Sequence, residues 1–365
     1  MNLDDVYTQP LLIQPNRVWR PFKGGKMLDK WQGKQICEDL QYSEEWIGSV
    51  VEARNPIPTP EEGLSRVKLP NGSEALLKDL IMNEPNRMLG EQHAGRFGAH
   101  PGFLVKVLDS FDRLMIQVHP TQSFARSHFN SDYGKTEAWY ILDARTIEGV
   151  EPYVYLGFKP GVTREHWIAL FEKQDIRGME DALHKVLVKP GDLFYVPGGV
   201  PHAAGSGVTF LEIQEPTDLT IRTERISPSG VQVTDMQMHQ GIGFDRMFDC
   251  FDYDTYEYDE LLEKFMVQPT ILHQSEEGSH YSLLMEPGSP YFTLQELVVT
   301  GRMKLTQRTF NIAIVLEGQG VMEWEFGKCE VKQSDTFFLP YELKEVEWIN
   351  SSGRLKIALC GPSNS

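Results

Sequence analysis

The chain has 365 residues, 41% of them hydrophobic, enough to bury one large core or two ordinary ones. Its net charge of -17 argues against a nucleic-acid backbone as partner, which needs clustered cations. Four dispersed cysteines, Cys37, Cys250, Cys329 and Cys360, give neither a Cys-x-x-Cys pair nor a disulfide framework. No apolar run approaches the ~20 residues of a membrane span. The start at Met1 lacks the basic and apolar stretches of a signal peptide, so a reducing cytoplasm is the expected home.

Residues 1–100 read as short strands between polar turns. Asn55-Pro56-Ile57-Pro58-Thr59-Pro60 is a stiff loop, because each proline also restrains the residue before it. Glu74 to Met88 is expected to hold one or two short helices. Between 100 and 225, short β-rich runs alternate with Gly and Pro, the rhythm of a β-sandwich or barrel. Leu114-Met115-Ile116-Gln117-Val118-His119 reads as a strand, with Gln117 and His119 two apart on one face. A second apolar strand, Ala138 to Leu142, is led in by Lys135-Thr136-Glu137. A Gln, a His and a Glu converging from two strands form a candidate cage for a divalent metal.

Thr163 to Val186 interrupts this rhythm. Trp167, Leu170 and Phe171, then Met179 and Leu183, recur at near-helical spacing and predict two helices, with Thr163 as an N-cap and Gly178 as the break. Lys189 to His202 then reads as a turn, a short buried strand and a Pro/Gly turn stopping at His202, whose direction those turns fix. Val208 to Ile213 is a further strand.

Tyr256 to Phe265 is expected to be helical, and the acidic run Asp249, Asp252, Asp254, Glu257, Asp259 and Glu260 a solvated surface. From Tyr291 the β rhythm returns, through Phe292–Val299 and Ala313–Gly320. A weak internal repeat follows. Ser334-Asp335-Thr336-Phe337-Phe338-Leu339-Pro340 has the spacing of Gly191-Asp192-Leu193-Phe194-Tyr195-Val196-Pro197. Five residues beyond Pro197 stands His202; five beyond Pro340 stands Glu345, and no His follows His280. The C-terminal part is therefore expected to be a second barrel, metal-free and structural.

Gly191-Asp192, four residues, Pro197 and then His202 resembles the second half of a cupin signature, with Gln117, His119 and Glu137 where the first half supplies its ligands. Ile116-Gln117-Val118-His119-Pro120 with Tyr133-Gly134-Lys135-Thr136-Glu137-Ala138-Trp139-Tyr140 is more narrowly similar to type I phosphomannose isomerase. Gly102–Ser110, Glu212–Arg222, Glu45–Ser49 and Arg17–Phe22 carry fainter likenesses to the same family. The resemblance implies a mainly β bicupin of two jelly-roll β-barrels, with a small helical insertion in or beside the first. It implies Gln117, His119, Glu137 and His202 as ligands of a zinc ion, although such a set accepts other divalent transition metals. The implied substrate is a small-molecule sugar phosphate, the implied reaction the aldose–ketose interconversion of mannose 6-phosphate and fructose 6-phosphate through an enediol.

In that reaction Lys135 is the first candidate for acid/base work. Arg222, whose planar fork keeps its charge, is the anion binder. Lys106 positions substrate, and Asp218 orients Arg222 or acts in ring opening. The expected organisation is a catalytic unit over 1–230, a partly helical connection over 231–284 and the second barrel over 285–365. Three departures from the family pattern stand out: Gly134 where longer members carry His, Glu215-Pro216-Thr217 before the Asp, and Thr223-Glu224-Arg225 after the Arg. They leave the sugar open between mannose 6-phosphate, another sugar or sugar phosphate, and a non-catalytic sugar-binding regulatory role. Oligomeric state is not legible.

Overall fold

A computed structural model describes residues 3–363. The fold class is the expected one: mainly β, two jelly-roll units of paired sheets, with short helices packed around them. A five-stranded sheet runs in the order Leu183–Leu187, Tyr153–Phe158, His202–Ala204, Gln117–Val118, Ile221–Arg222. Against it packs a six-stranded sheet ordered Leu193–Val196, Glu137–Ala144, Val208–Gln214, Leu104–Ser110, Glu44–Ile47, Arg17–Val18. Nine- and four-stranded sheets make the second pair.

Strand alternation explains the layering. In Asn311–Glu317, Ile312 and Ile314 face a core shared with Val105, Ala138 and Ile213 of the six-stranded sheet. Ala313 and Val315 face the opposite core, with Met322, Val346 and Trp348 of the four-stranded sheet. The nine-stranded sheet is apolar on both faces here because it is covered on both. It also recruits strands from the other end of the chain: Leu11–Ile13, Arg66–Lys68 and Glu74–Leu76 extend it beyond Thr336–Leu339.

The helical insertion covers the outer face of the five-stranded sheet, where Trp167, Phe171 and Met179 pack on Val118, Tyr155 and Ile221. Thr163 caps the helix Arg164–Lys173, its hydroxyl accepting from His166 N. Two details differ from expectation. The break falls at Gln174, in the left-handed region at φ 49, and Gly178 sits inside the next helix, Ile176–Asp181. A Cβ at Gly178 would meet Leu170 Cδ2 at 2.6 Å, so the absent side chain leaves room for that leucine against the helix. Leu183, grouped with the helical periodicity, opens the strand Leu183–Leu187.

The repeat is structural. Asp192 Oδ2 accepts from Lys189 N at 2.9 Å, and Asp335 Oδ2 accepts from Lys332 N at 2.9 Å. The residues before these aspartates, Gly191 and Ser334, both have positive φ, 95° and 74°. Each turn launches a short buried strand, Leu193–Val196 or Thr336–Leu339. The two then diverge: His202 points into the first barrel, while Glu345 is exposed and pairs with Lys304 on the surface.

Candidate active site

The site lies between the five- and six-stranded sheets. On the first, His202 and Arg222 are both register partners of Gln117, so three polar side chains stand in one row across neighbouring strands. On the second, Trp139, Glu212, Lys106 and Trp46 form the facing row, and Glu137 and Glu44 lie two residues along the same faces.

One ligand atom from each of His119, Glu137 and His202 lies within 4.8 Å of the others, and all three residues are buried. Both imidazoles are oriented from behind. His119 Nδ1 is 2.9 Å from Leu219 O and His202 Nδ1 is 2.9 Å from Val200 O, which turns each Nε2 toward Glu137. Glu137 Oε2 lies 3.2 Å from His119 Nε2, and Oε1 3.3 Å from His202 Nε2. Trp139 Nε1 donates to Oε1 at 2.9 Å and fixes the carboxylate plane. The Gln117 amide is 3.3 Å from His202 Nε2, and rotation about its last torsion presents the carbonyl oxygen there.

Burial, then the adjacent Lys135 ammonium, pull the His119 imidazole down to about 3, and burial also lowers His202. Both rings are thus in the neutral form that ligates a metal. Burial pushes the Glu137 carboxyl up, but the adjacent Lys135 charge, the largest opposing influence, holds it well below the usual carboxylate range. Two neutral imidazoles, one carboxylate and an amide fit a borderline-soft divalent ion such as zinc.

Lys135 lies at the centre of this group, its Nζ 2.7 Å from His119 Nε2 and 2.8 Å from Glu137 Oε2. Lys106 Nζ is buried 3.3 Å from Glu212 Oε2 and 3.8 Å from Glu44 Oε2, above the Trp46 ring. Asp218 bonds Arg20 at 3.2 Å through both oxygens and accepts from Arg54 N at 2.8 Å; its partners do not include Arg222. Arg222 Nη1 donates to Thr220 O and Gln237 O, and no carboxylate among the described residues pairs with it. Burial without such a partner draws its guanidinium down to about 10.

The backbone is drawn tight to bring these segments together. Gly134 and Gly198 both press on Pro120 O, where a Cβ would approach to 2.5 and 2.6 Å. Lys135 N donates to Pro120 O and Gly199 N to His119 O, so three ligand-bearing segments meet at one point. A His in place of Gly134 has no room.

Three comparisons bear on this constellation. A model of the type I phosphomannose isomerase catalytic domain matches residues 32–140, and one of the mannose-6-phosphate isomerase cupin domain matches 284–359. A mannose-6-phosphate isomerase of Bacillus subtilis, ManA, is 30% identical over 283 residues, spanning 75% of this chain and 82% of that protein. The chain belongs to the type I phosphomannose isomerase family. A further relative, the mannose-6-phosphate isomerase of Streptococcus mutans, is 27% identical over 75% of this chain and 81% of its own. The crystal structure of the Bacillus subtilis mannose 6-phosphate isomerase superposes with a TM-score of 0.74 at 22% identity, covering 96% of this chain and 99% of that one. A zinc-bound mannose 6-phosphate isomerase superposes with a TM-score of 0.70 at 17% identity, covering 96% and 99%. Likeness at these identities carries the fold.

The departures from the family pattern have structural roles. Thr223 N and Oγ1 both donate to Ile116 O, and Glu224 Oε1 accepts from Ile116 N while pairing with Arg113. These residues clamp the strand that carries Gln117. Glu215 accepts from Gly134 N and Thr136 N at 3.1 Å, on either side of Lys135.

Four site residues were not singled out by sequence reasoning: Arg20, Glu44, Trp46 and Glu212. A signal existed for three of them. Glu44 and Trp46 alternate on one strand face, and Glu212 is the lone carboxylate within the apolar strand Val208–Gln214. Burial, then the charge of Glu137, push the Glu212 carboxyl up to about 7. No helix among the described residues is long and apolar enough to cross a membrane.

Proposed function

We propose that this protein is a zinc-dependent isomerase interconverting mannose 6-phosphate and fructose 6-phosphate. The observation that carries the reading is three elements brought together between the two facing sheets. A His/Glu/His ligand group lies beside Gln117, a lysine stands 2.7–2.8 Å from two of those ligands, and a part-buried arginine has no carboxylate partner among the described residues. The relatives named above supply the substrate. Gln117, His119, Glu137 and His202 hold the metal, which when bound supplies an electrophile for the charge developing on the sugar oxygens.

The remaining residues bind, orient and move protons. Isomerisation transfers a proton between C2 and C1 of the open-chain sugar through an enediol. Lys135, two residues before the ligand Glu137, serves as the proton carrier; its contact with His119 Nε2 gives way when the metal takes that lone pair. Arg222 receives the phosphate, since a buried guanidinium without a counter-ion is stabilised by an anion. Lys106, wedged between Glu44 and Glu212 over Trp46, positions the sugar chain. Asp218 acts through Arg20, holding the wall of the cleft. Residues 285–365 serve as a metal-free platform on which the six-stranded sheet rests.

The test is direct. Purified, zinc-loaded protein is incubated with mannose 6-phosphate and fructose 6-phosphate is followed. Turnover is expected. Absence of turnover here, with turnover of a different aldose phosphate, would reassign the substrate.

A further inference from the structure

The cleft continues past Arg222. Pro21, Met115 and Arg222 line both the small cleft bordered by Gln117, Lys135 and Lys106 and an adjoining groove of about 280 Å³. Arg54 and Asn55, from the proline-stiffened N-terminal loop, line that groove as well. Two arginines line it and no Asp or Glu does, in a chain of net charge -17.

Both guanidinium groups have capacity to spare. Arg222 uses Nη1 on two carbonyls, while its Nε and Nη2 have no partner among the described residues. The Arg54 side chain is exposed and makes no hydrogen bond or ion pair among the described residues. Its main chain, by contrast, is anchored. Arg54 N donates to Asp218 Oδ2 at 2.8 Å, and Arg20 Nη1 donates to Asn55 Oδ1 at 3.2 Å. The loop is thus tied to the buried polar network of the active site, and the cation it carries is left uncompensated at the groove.

We infer that Arg54 is a second phosphate-binding residue, the anionic end of the sugar phosphate lying in this groove between Arg54 and Arg222. The inference rests on the isomerase reading and extends it. It names the residue from the N-terminal loop that separates phosphorylated from neutral sugars. Planar guanidinium forks match phosphate oxygens in pairs, so two of them grip a phosphate from separate directions.

Arg54→Ala and Arg54→Lys are compared with the unaltered zinc-loaded protein. Inorganic phosphate is titrated calorimetrically, and kcat and KM are measured for mannose 6-phosphate. For an exposed cation, Arg54→Ala is expected to weaken phosphate binding and raise KM by roughly two- to five-fold with kcat little changed, and Arg54→Lys to recover part of the loss. Unchanged phosphate affinity in Arg54→Ala, or no phosphate binding by the unaltered protein, overturns the inference. A fall in kcat with unaltered phosphate affinity also overturns it, because that marks a loop-positioning role. Failure of the isomerase reading is distinguishable: the unaltered protein then binds phosphate in an Arg54-dependent way and turns over no mannose 6-phosphate.

Discussion

Replacing Glu215 with Ala tests how the loop bearing Lys135, the proposed proton carrier, is held. Glu215 Oε2 accepts from Gln122 Nε2 at 2.7 Å and Gly134 N at 3.1 Å, and Oε1 accepts from Thr136 N at 3.1 Å. The two backbone amides flank Lys135, and Thr136 precedes the ligand Glu137. Alanine leaves both amides without their acceptor in a buried setting, each costing about 1–3 kcal/mol. The expected loss is therefore roughly 2–6 kcal/mol, at the lower end where water enters the vacated space. A melting temperature lower by roughly 3–8 °C follows for a chain of 365 residues. Release of the loop also frees Lys135 to drift, and a displacement of about 1 Å is enough for roughly a hundred-fold loss in kcat. Thermal unfolding with steady-state kinetics on zinc-loaded protein reads both. Glu215→Gln keeps one acceptor oxygen and should fall between. Wild-type melting temperature and kcat in Glu215→Ala would refute the clamp.

His202→Ala should lose zinc and activity together, read by metal analysis and fructose 6-phosphate formation; full zinc content in that variant contradicts the proposed cage. Gly134→Ala places a Cβ 2.5 Å from Pro120 O and should cost about 1–3 kcal/mol in urea unfolding, with kcat falling as Lys135 shifts. Trp348→Ala removes a fully buried ring from the second barrel and should destabilise by about 3–5 kcal/mol while leaving zinc stoichiometry at one per folded chain.

Strand alternation and the family resemblance together marked the proposed metal-binding residues. Gln117 and His119, two apart, had to share a face, and the sharp turn before His202 aimed that side chain. The second barrel was visible through Asp335, which caps its turn as Asp192 does in the first. What stayed hidden depends on contacts across long sequence distances. Arg20 lies in a segment with only a faint family likeness, and only the fold sets it against Asp218; Leu11–Ile13 gives no sign that it pairs with Thr336–Leu339. Gly178 misled because glycine in a helical stretch signals a break, whereas here it relieves packing against Leu170. The true break at Gln174 carries no residue-type flag. Glu215 looked like an irregularity near the phosphate end of the site; its three donors show it holding the loop that bears Lys135.

The most direct measurement is turnover of mannose 6-phosphate by the purified protein, zinc-loaded and as the His202→Ala variant, with bound metal quantified in the same samples. The account predicts one zinc per chain and fructose 6-phosphate production in the first, and neither in the second. Stoichiometric zinc in the unaltered protein without fructose 6-phosphate, or equal activity in both samples, would contradict it.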